Sequence, residues 1–288
     1  MGAISRHIAR RYLSRVSREH IQEFPQLACF SFDLITNIIM LEGQYERDQL
    51  EFLASRVFPN LPEGGACVDV GANIGNHSVF FARHFKQVIS LEPHPRNFEL
   101  LSINAGLADN IVPLKIGASN APNVLEIKED LMNLAASSLH HTAGRTGNSV
   151  EIRVERIDDM AEVQEAEGIS FMKFDIEGHE ALAIEGAKET IKRHRPIIML
   201  EILKDEIAQG TSASIDALKE LGYSHFHEPV EAGWLGKLPR RRKKFARAIW
   251  ELFTGRPLSK AERVVRVDQL ENRNYLLVLC AADPPPYA

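Results

Sequence analysis

From residue 66 onwards, short apolar segments alternate with segments that have the periodicity of amphipathic helices. Residues 66–70 form an apolar run between a pair of glycines and Gly71, and residues 87–91 and 169–174 form similar runs. Runs of this length, bounded by glycine or proline, are typical of buried strands. Repeated strand–helix units predict an α/β fold, with helices on both faces of a mostly parallel sheet.

The pattern extends along most of the chain. The segments with strand patterns are residues 66–70, 87–91, 111–116, 124–128, 150–154, 169–174, 197–202, 223–226 and 275–279. Those with helix patterns, besides the helix after Gly75, are residues 95–105, 180–194 and 212–221. Segments 124–128 and 150–154 alternate apolar and polar residues, which predicts a half-exposed, β-hairpin-like insertion. The loop between them contains His140 and His141, which have either no role or a place in a lid over a substrate.

The first 60 residues predict a helical segment that packs on the core. Residues 4–23 have apolar side chains on one face and arginines around the rest, and residues 44–58 form a second helical pattern that ends at Pro59. The first helix is consistent with a basic helix lying on the domain, or with one that binds a membrane surface or a partner. Residues 61–288 are predicted to form the ligand-binding domain.

Charge and composition narrow the class of protein. The net charge of −5 gives no overall reason to expect nucleic acid binding. Three scattered cysteines argue against a disulfide scaffold or a zinc ribbon. Because we find neither a secretory signal nor a run of 18 apolar residues, we expect a cytoplasmic protein.

A basic run interrupts the otherwise acidic chain in a predicted insertion at about residues 235–268. Its seven basic residues, with no acid among them, are Lys237, Arg240, Arg241, Arg242, Lys243, Lys244 and Arg247. A solvated insertion explains the run, and so does contact with an anionic acceptor or membrane surface.

The first predicted strand leads into a glycine turn and a helix, at residues 68–75. This is the arrangement that brings a nucleotide-like ligand to the carboxyl edge of a sheet. A dinucleotide fingerprint would need glycines two and five positions after Gly71, but Asn73 and Asn76 stand there. The missing glycines speak against NAD.

Two acids at this edge favour a cationic ligand. Asp69 precedes the turn, where it would repel a diphosphate, and Glu92 follows the second strand, where it would accept hydrogen bonds from ribose hydroxyls. S-adenosylmethionine carries an ammonium and a sulfonium group and no phosphate. The combination of Asp69, the Gly71–Gly75 turn and Glu92 therefore predicts this cofactor.

A second acidic turn follows the strand at residues 169–174. Asp175 ends that strand, while Glu177 and Glu180 belong to the turn into the next helix. Three carboxylates so close together repel one another and raise a pKa unless a cation lies between them. Three interpretations are open: an acid–base site, a divalent metal site, or a purely structural role in which Glu180 caps its helix. We expect Asp175 to be the general base and include Glu177 and Glu180 as catalytic candidates, with no resident metal.

These motifs, in this order, resemble those of the FkbM family of methyltransferases. The resemblance rests on residues 68–78, 91–93, 171–180 and 185–187, with further likeness at 43–46 and 196–201. It spans roughly residues 35–230 and implies a Rossmann-like class I methyltransferase fold. It also implies O-methylation of a hydroxyl on a sugar, glycan or secondary metabolite.

The resemblance further implies roles for individual residues. Asp69, Gly71, Asn73 and Gly75 would line the methionine end of the cofactor, and Glu92 would hold the ribose. Gly117 and Ala118, at the end of the third strand, would lie near the adenine. An NAD-dependent oxidoreductase and a non-catalytic cofactor-binding module are the alternative functions.

Overall fold

We describe a computed structural model of the protein, which covers residues 2–128, 149–231 and 262–287. The helices are α1 (Ala3–His20), α2 (Leu34–Glu42), α3 (Arg47–Phe52), α4 (Asn76–Phe81), α5 (Pro95–Ala105), α6 (Ala161–Gln164), α7 (Glu180–Gly186), α8 (Lys188–His194) and α9 (Ala213–Glu220). The strands are β1 (Ala66–Val70), β2 (Gln87–Leu91), β3 (Ile111–Leu114), β4 (Gly117–Ala118), β5 (Asn123–Lys128), β6 (Ser149–Glu155), β7 (Ile169–Phe174), β8 (Ile197–Ile202), β9 (His225–Glu231), β10 (Glu262–Arg266) and β11 (Tyr275–Ala281).

The main sheet has eight strands in the order β10-β9-β11-β8-β7-β1-β2-β3. The five strands β8, β7, β1, β2 and β3 are parallel to one another. Strands β11, β9 and β10 extend the sheet beyond β8, each antiparallel to its neighbours. The predicted α/β fold with a mostly parallel sheet is confirmed. Because β7 and β1 lie in the middle of this sheet, all the side chains of both strands are buried.

A second, smaller sheet contains β4, β6 and β5. The antiparallel pair β5–β6 is the predicted hairpin-like insertion, and β4 joins it parallel to β6. The prediction of one strand over residues 111–116 was wrong at its end, because the chain leaves the main sheet after Leu114. Gly117 and Ala118 therefore belong to the small sheet and not to the third strand of the large one.

Apolar side chains fill both faces of the main sheet. One cluster lies among β1, β7, β8 and helices α7 and α9, and includes Phe174, Ile184 and Leu218. The other joins the N-terminal segment to α4 through a group of aromatic rings around Phe58 and Phe171. Helix α1 contributes a single buried side chain, Val16.

Several helices differ from the sequence prediction. Helix α2 was not predicted, and the predicted helix over residues 44–58 begins only at Arg47 and changes to a π-helical turn at Leu53. The predicted helix over residues 180–194 is broken at Ala187. Its last residue before the break, Gly186, packs so closely on β4 that a Cβ there would lie 1.9 Å from the Ser119 carbonyl oxygen.

The sheet edge also differs. The strand predicted at residues 223–226 begins at His225, because Tyr223 is buried and its hydroxyl donates to the Pro196 carbonyl over 2.7 Å. Strand β10 was not predicted. In the part of the chain covered by the structure, no helix combines the length and apolar character needed to cross a membrane.

Candidate active site

A cleft opens at the carboxyl edge of the parallel strands. Across the sheet, its floor is formed in turn by Glu201 of β8, Asp175 after β7, Gly71 after β1 and Glu92 after β2. Neighbouring strands lie about 4.8 Å apart, so Glu201 and Glu92 stand three strands, or roughly 14 Å, from each other. Such a crevice at the strand ends is where open α/β sheets bind their ligands.

The turn after β1 is tied to the end of β2. The amides of Gly71 and Ala72 both donate to the Leu91 carbonyl, at 3.0 and 2.9 Å. Gly71 has a φ of +83° and Asn73 a φ of +52°, and both residues line the cleft. A Cβ on Gly71 would lie 2.0 Å from the Asp175 carbonyl oxygen, so glycine is needed where the β1 and β7 turns meet.

Glu92 is fixed by backbone amides on both of its carboxylate oxygens. Oε2 accepts from the Asn73 amide at 2.9 Å and Oε1 from the His94 amide at 2.8 Å. Burial raises the pKa of Glu92 to about 7, although these hydrogen bonds work in the opposite direction. The side chain lines the cleft, and a carboxylate has acceptor capacity beyond these two hydrogen bonds.

Asp69 and Gly75 do not reach the cleft, contrary to the sequence prediction. The Asp69 carboxylate is fully buried, accepts from the Ser78 hydroxyl at 2.7 Å and lies 3.3 Å from the Lys173 ammonium. Because Asp69 lies inside β1, its side chain points to the sheet face that α4 covers. Gly75 starts α4 with a φ of +88° and faces Leu101 of α5.

Gly117 and Ala118 do line the cleft, but from the small sheet. Their neighbours in the cleft wall are apolar side chains of the hairpin, Ile127, Ile152 and Val154. A Cβ on Gly117 would approach Val154 to 3.0 Å. The hairpin insertion therefore supplies an apolar wall on the Glu92 side of the cleft, which the sequence patterns did not indicate.

Asp175 belongs to a charge cluster with the buried Lys173 and the half-buried Glu201. The Lys173 ammonium lies 3.1 Å from Asp175 Oδ2, 3.3 Å from Asp69 Oδ1 and 3.3 Å from the Gly71 carbonyl oxygen. Burial works to raise the pKa of Asp175, but Lys173 and a hydrogen bond from Glu201 outweigh it and lower the pKa to about 2. Burial and the Asp175 charge raise the pKa of Glu201, so Glu201 is the protonated partner.

The structure separates the two other carboxylates of the predicted catalytic turn. Glu177 lines the cleft and has a φ of +57°. Glu180 does not, because its carboxylate turns back to accept from the amides of Ile176 at 2.8 Å and Gly178 at 3.0 Å. Burial and the charge of Glu206 raise the pKa of Glu180 to about 8. Glu180 thus holds the turn that carries Asp175 and Glu177, and lies away from the cleft.

A histidine–glutamate pair faces the same end of the cleft. His77 Nε2 lies 3.2 Å from Glu46 Oε2, and both side chains are largely buried. The backbone at Glu46 is left-handed, with a φ of +56°, and Asn76 holds this segment by pairing its side chain with the amide and carbonyl of Tyr45. From the sequence, His77 at the start of the first helix could equally be a packing residue or a ligand contact, and Glu46 had no predicted role. Only the family likeness at residues 43–46 pointed to this segment.

The carboxyl groups that line the cleft outnumber its basic side chains, although Glu201 is protonated and Asp175 is paired with Lys173. Among the residues covered by the structure, five carboxyl groups line it and no lysine or arginine does; the five belong to Glu46, Glu92, Asp175, Glu177 and Glu201. No group of three histidine, cysteine or acidic side chains in these same ranges has an arrangement that could hold a metal ion. The basic run at residues 237–247 and the pair His140 and His141 lie outside the described residues.

Residues 69–225 match the family model of the methyltransferase FkbM domain, which is more than half of the chain. The chain belongs to this family. The family is described as one of methyltransferases.

Two relatives of this FkbM protein are named as methyltransferases. The hexuronic acid methyltransferase AglP of Haloferax volcanii is 29% identical over 125 residues, which are 43% of this chain and 50% of AglP. The methyltransferase sdnD of Sordaria araneosa is 26% identical over 194 residues, which are 56% of this chain and 74% of sdnD. The chain thus spans about half the length of AglP.

A solved FkbM structure is also similar. The methyltransferase FkbM from Methylobacillus flagellatus is 19% identical, with a TM-score of 0.35, and the match covers 66% of this chain and 47% of that one.

Proposed function

We propose that this FkbM protein is an S-adenosylmethionine-dependent O-methyltransferase, acting on a hydroxyl of a sugar, glycan or secondary metabolite. The observation that carries the proposal is the charge of the cleft, with five carboxyl groups and no lysine or arginine among its described lining residues. A cationic cofactor suits this lining, whereas the pyrophosphate of NAD would meet carboxyl groups, and the Lys173 ammonium beneath the cleft floor is already paired with Asp69 and Asp175.

The residues around Glu92 fit the cofactor. The fixed carboxylate would accept hydrogen bonds from ribose hydroxyls, and the apolar wall of Ile127, Ile152 and Val154 would cover a flat base. Gly71 and Asn73 would hold the methionine end, as the sequence predicted. The cofactor, when bound, supplies an activated methyl group on a sulfonium.

We infer that His77, oriented by Glu46, accepts the proton of the hydroxyl. Imidazole is the side chain most often used for proton transfer near neutral pH, and a carboxylate on one ring nitrogen fixes its orientation. Asp175, the base predicted from sequence, has its pKa lowered to about 2 and is bound to Lys173. A carboxylate so stabilised is a weak base, so Asp175 suits a role in binding.

The class of acceptor is supported by the relative whose name states its substrate. AglP is named for methylation of a hexuronic acid, which makes sugar acids and their glycans the first acceptors to test. The Glu201 end of the cleft offers carboxyl groups and His77 as hydrogen-bond partners for a polyhydroxyl ligand.

The test is transfer of a labelled methyl group from S-adenosylmethionine to a panel of hexuronic acids, neutral sugars and polyketide alcohols. The proposal predicts a methyl ether on at least one member. His77→Gln and Glu46→Gln should lower turnover by about 10²–10⁴-fold and leave cofactor affinity within a few-fold. Asp175→Asn is the comparison variant, and its turnover should fall less than that of His77→Gln.

Two results would count against the proposal. Saturable cofactor binding with no transfer to any of these hydroxyls would favour the non-catalytic module. Full turnover in His77→Gln, together with the large loss in Asp175→Asn, would return the role of base to Asp175.

A further inference from the structure

Helix α1 exposes a row of apolar side chains that the fold does not use. Its inner face packs on the protein through the buried Val16, and His20 Nε2 lies 3.1 Å from the Leu41 carbonyl oxygen of α2. On the outer side, Ile4, Ile8 and Tyr12 follow one another at four-residue intervals and are 79%, 63% and 55% exposed. Side chains four residues apart are neighbours on a helix surface, so these three form a continuous strip.

Exposed apolar side chains are concentrated in this part of the molecule. Of the 13 large apolar residues that are exposed within the described ranges, eight lie between Ile4 and Leu41. Leu34, one of them, also lines the cleft. The exposed apolar residues of this N-terminal segment therefore include one that lines the proposed active site.

The charge of the helix is opposite to that of the chain. Helix α1 carries five arginines and one acid, Glu19, whereas the whole chain has a net charge of −5. Arg11 and Arg15 each lie three residues after a member of the apolar strip and so border it. Arg15 pairs with Glu19 at 3.0 Å, but both side chains are exposed and such a pair is weak.

We propose that α1 binds the surface of an anionic lipid bilayer. Apolar side chains bordered by arginines suit the boundary between lipid headgroups and acyl chains. There the apolar side chains enter the acyl layer and the arginines meet the lipid phosphates. A nucleic acid would satisfy the arginines and leave the apolar strip in water, so lipid is the occupant that uses both features. The inference goes beyond the proposed function and does not depend on it.

The experiment is sedimentation of the full chain with vesicles of phosphatidylcholine alone, or of phosphatidylcholine and phosphatidylglycerol in equal parts. We expect binding to the anionic vesicles, weakened by salt. Ile8→Glu should reduce the partition coefficient at least about tenfold, because it removes the burial of one large apolar side chain. Arg11→Gln and Arg15→Gln should each reduce it roughly fivefold.

The chain offers a matched control for each change. Ile103 on α5 is 62% exposed, close to the exposure of Ile8, so Ile103→Glu should bind vesicles like the unmodified protein. Arg153 is the control for Arg15. Its side chain is 73% exposed and pairs with Glu155, while the Arg15 side chain is 75% exposed and pairs with Glu19. Arg153→Gln should therefore bind unchanged.

Three results would overturn the inference. The first is the absence of vesicle binding, or equal binding to the neutral vesicles. The second is equal loss in Ile8→Glu and Ile103→Glu, or undiminished binding in Ile8→Glu, which would place the lipid contact elsewhere. The third is a change of oligomeric state in Ile8→Glu by analytical sedimentation without vesicle binding, which would make the strip a contact between copies.

Discussion

Glu92 is the residue with the most defined part in the proposed cofactor site. Both of its oxygens are fixed by backbone amides at the edge of the β1 turn. Glu92→Ala should weaken S-adenosylmethionine binding by about 1–3 kcal/mol in calorimetry, because two ribose hydroxyls would lose a charged acceptor. The exposed Glu99 on α5 provides a control, since Glu99→Ala should leave the affinity unchanged. Equal affinities for the Glu92 variant and the unmodified protein would show that Glu92 does not bind the ribose.

Lys173 holds two carboxylates together beneath the cleft floor. It is fully buried between Asp69 and Asp175, so Lys173→Met would leave two charges without a partner. We expect a loss of about 3–5 kcal/mol in the free energy of unfolding, measured by denaturant titration. Lys86→Met removes an exposed pair with Glu167 and should cost less than about 1 kcal/mol. Similar losses in both variants would contradict this account of the cluster.

At the residue scale, the sequence pointed to three of the five carboxyl groups that line the cleft and missed Glu46 and Glu201. Glu92, Asp175 and Glu177 line the cleft, as expected from strand ends. Asp69 is one residue short of the end of β1, and the pleat turns it towards Ser78 and Lys173. The pairing with Lys173 connects residues 104 positions apart, and only the parallel register of β1 and β7, with Asp69 opposite Lys173, brings them together.

At the element scale, the turn after β1 depends on the absence of a side chain at Gly71. Gly71→Ala would combine a left-handed backbone with a collision against the Asp175 carbonyl. Gly64 is the matched position, with a φ of +74° and no atom within 4 Å of an added Cβ. We expect Gly64→Ala to cost about 1–2 kcal/mol and Gly71→Ala roughly 2–5 kcal/mol in unfolding free energy. Equal costs for the two variants would contradict the close packing of the β1 turn at Gly71 against the Asp175 carbonyl.

Elements with strong local signals were predicted with their observed bounds. Strands β1, β2, β7 and β8 and helix α5 match the predicted ranges residue for residue. Helix α2 was missed because its apolar residues occur on all sides, although its capping residues were visible in the sequence. Asp33 accepts from the Ile35 amide at its start, and Gly43 ends it with a φ of +83°. The break at Ala187 and the path of β4 depend on the contact between α7 and the small sheet, which no local pattern encodes.

At the scale of the whole molecule, buried carboxyl groups set the pH dependence of stability. The raised pKa values of Glu92, about 7, Glu180, about 8, and Glu201, about 11, mean that the folded state keeps protons which the unfolded state releases above about 4.5. Their effect is to lower stability as pH rises towards 8. The lowered pKa of Asp175 has the opposite sign, but its contribution is already complete above the ordinary value of 3.8. Buried histidines with lowered pKa, such as His227, act mainly below about 6.5.

Between pH 6.5 and 8 the carboxyl groups therefore dominate. We expect the unfolding free energy to fall by about 2–4 kcal/mol over this interval, measured as the denaturant midpoint at constant slope. Glu180→Gln, which keeps one acceptor oxygen for the turn, should flatten the fall. A midpoint that stays constant or rises in the unmodified protein would contradict the burial described for Glu92 and Glu180.

The central claim is that the cleft binds S-adenosylmethionine, and calorimetric titration of the full chain with this cofactor and with NAD tests it most directly. The acidic cleft, the fixed Glu92 carboxylate and the apolar hairpin wall predict saturable one-site binding of S-adenosylmethionine and no detectable binding of NAD. Binding of NAD, or no binding of S-adenosylmethionine by the folded protein, would contradict the account.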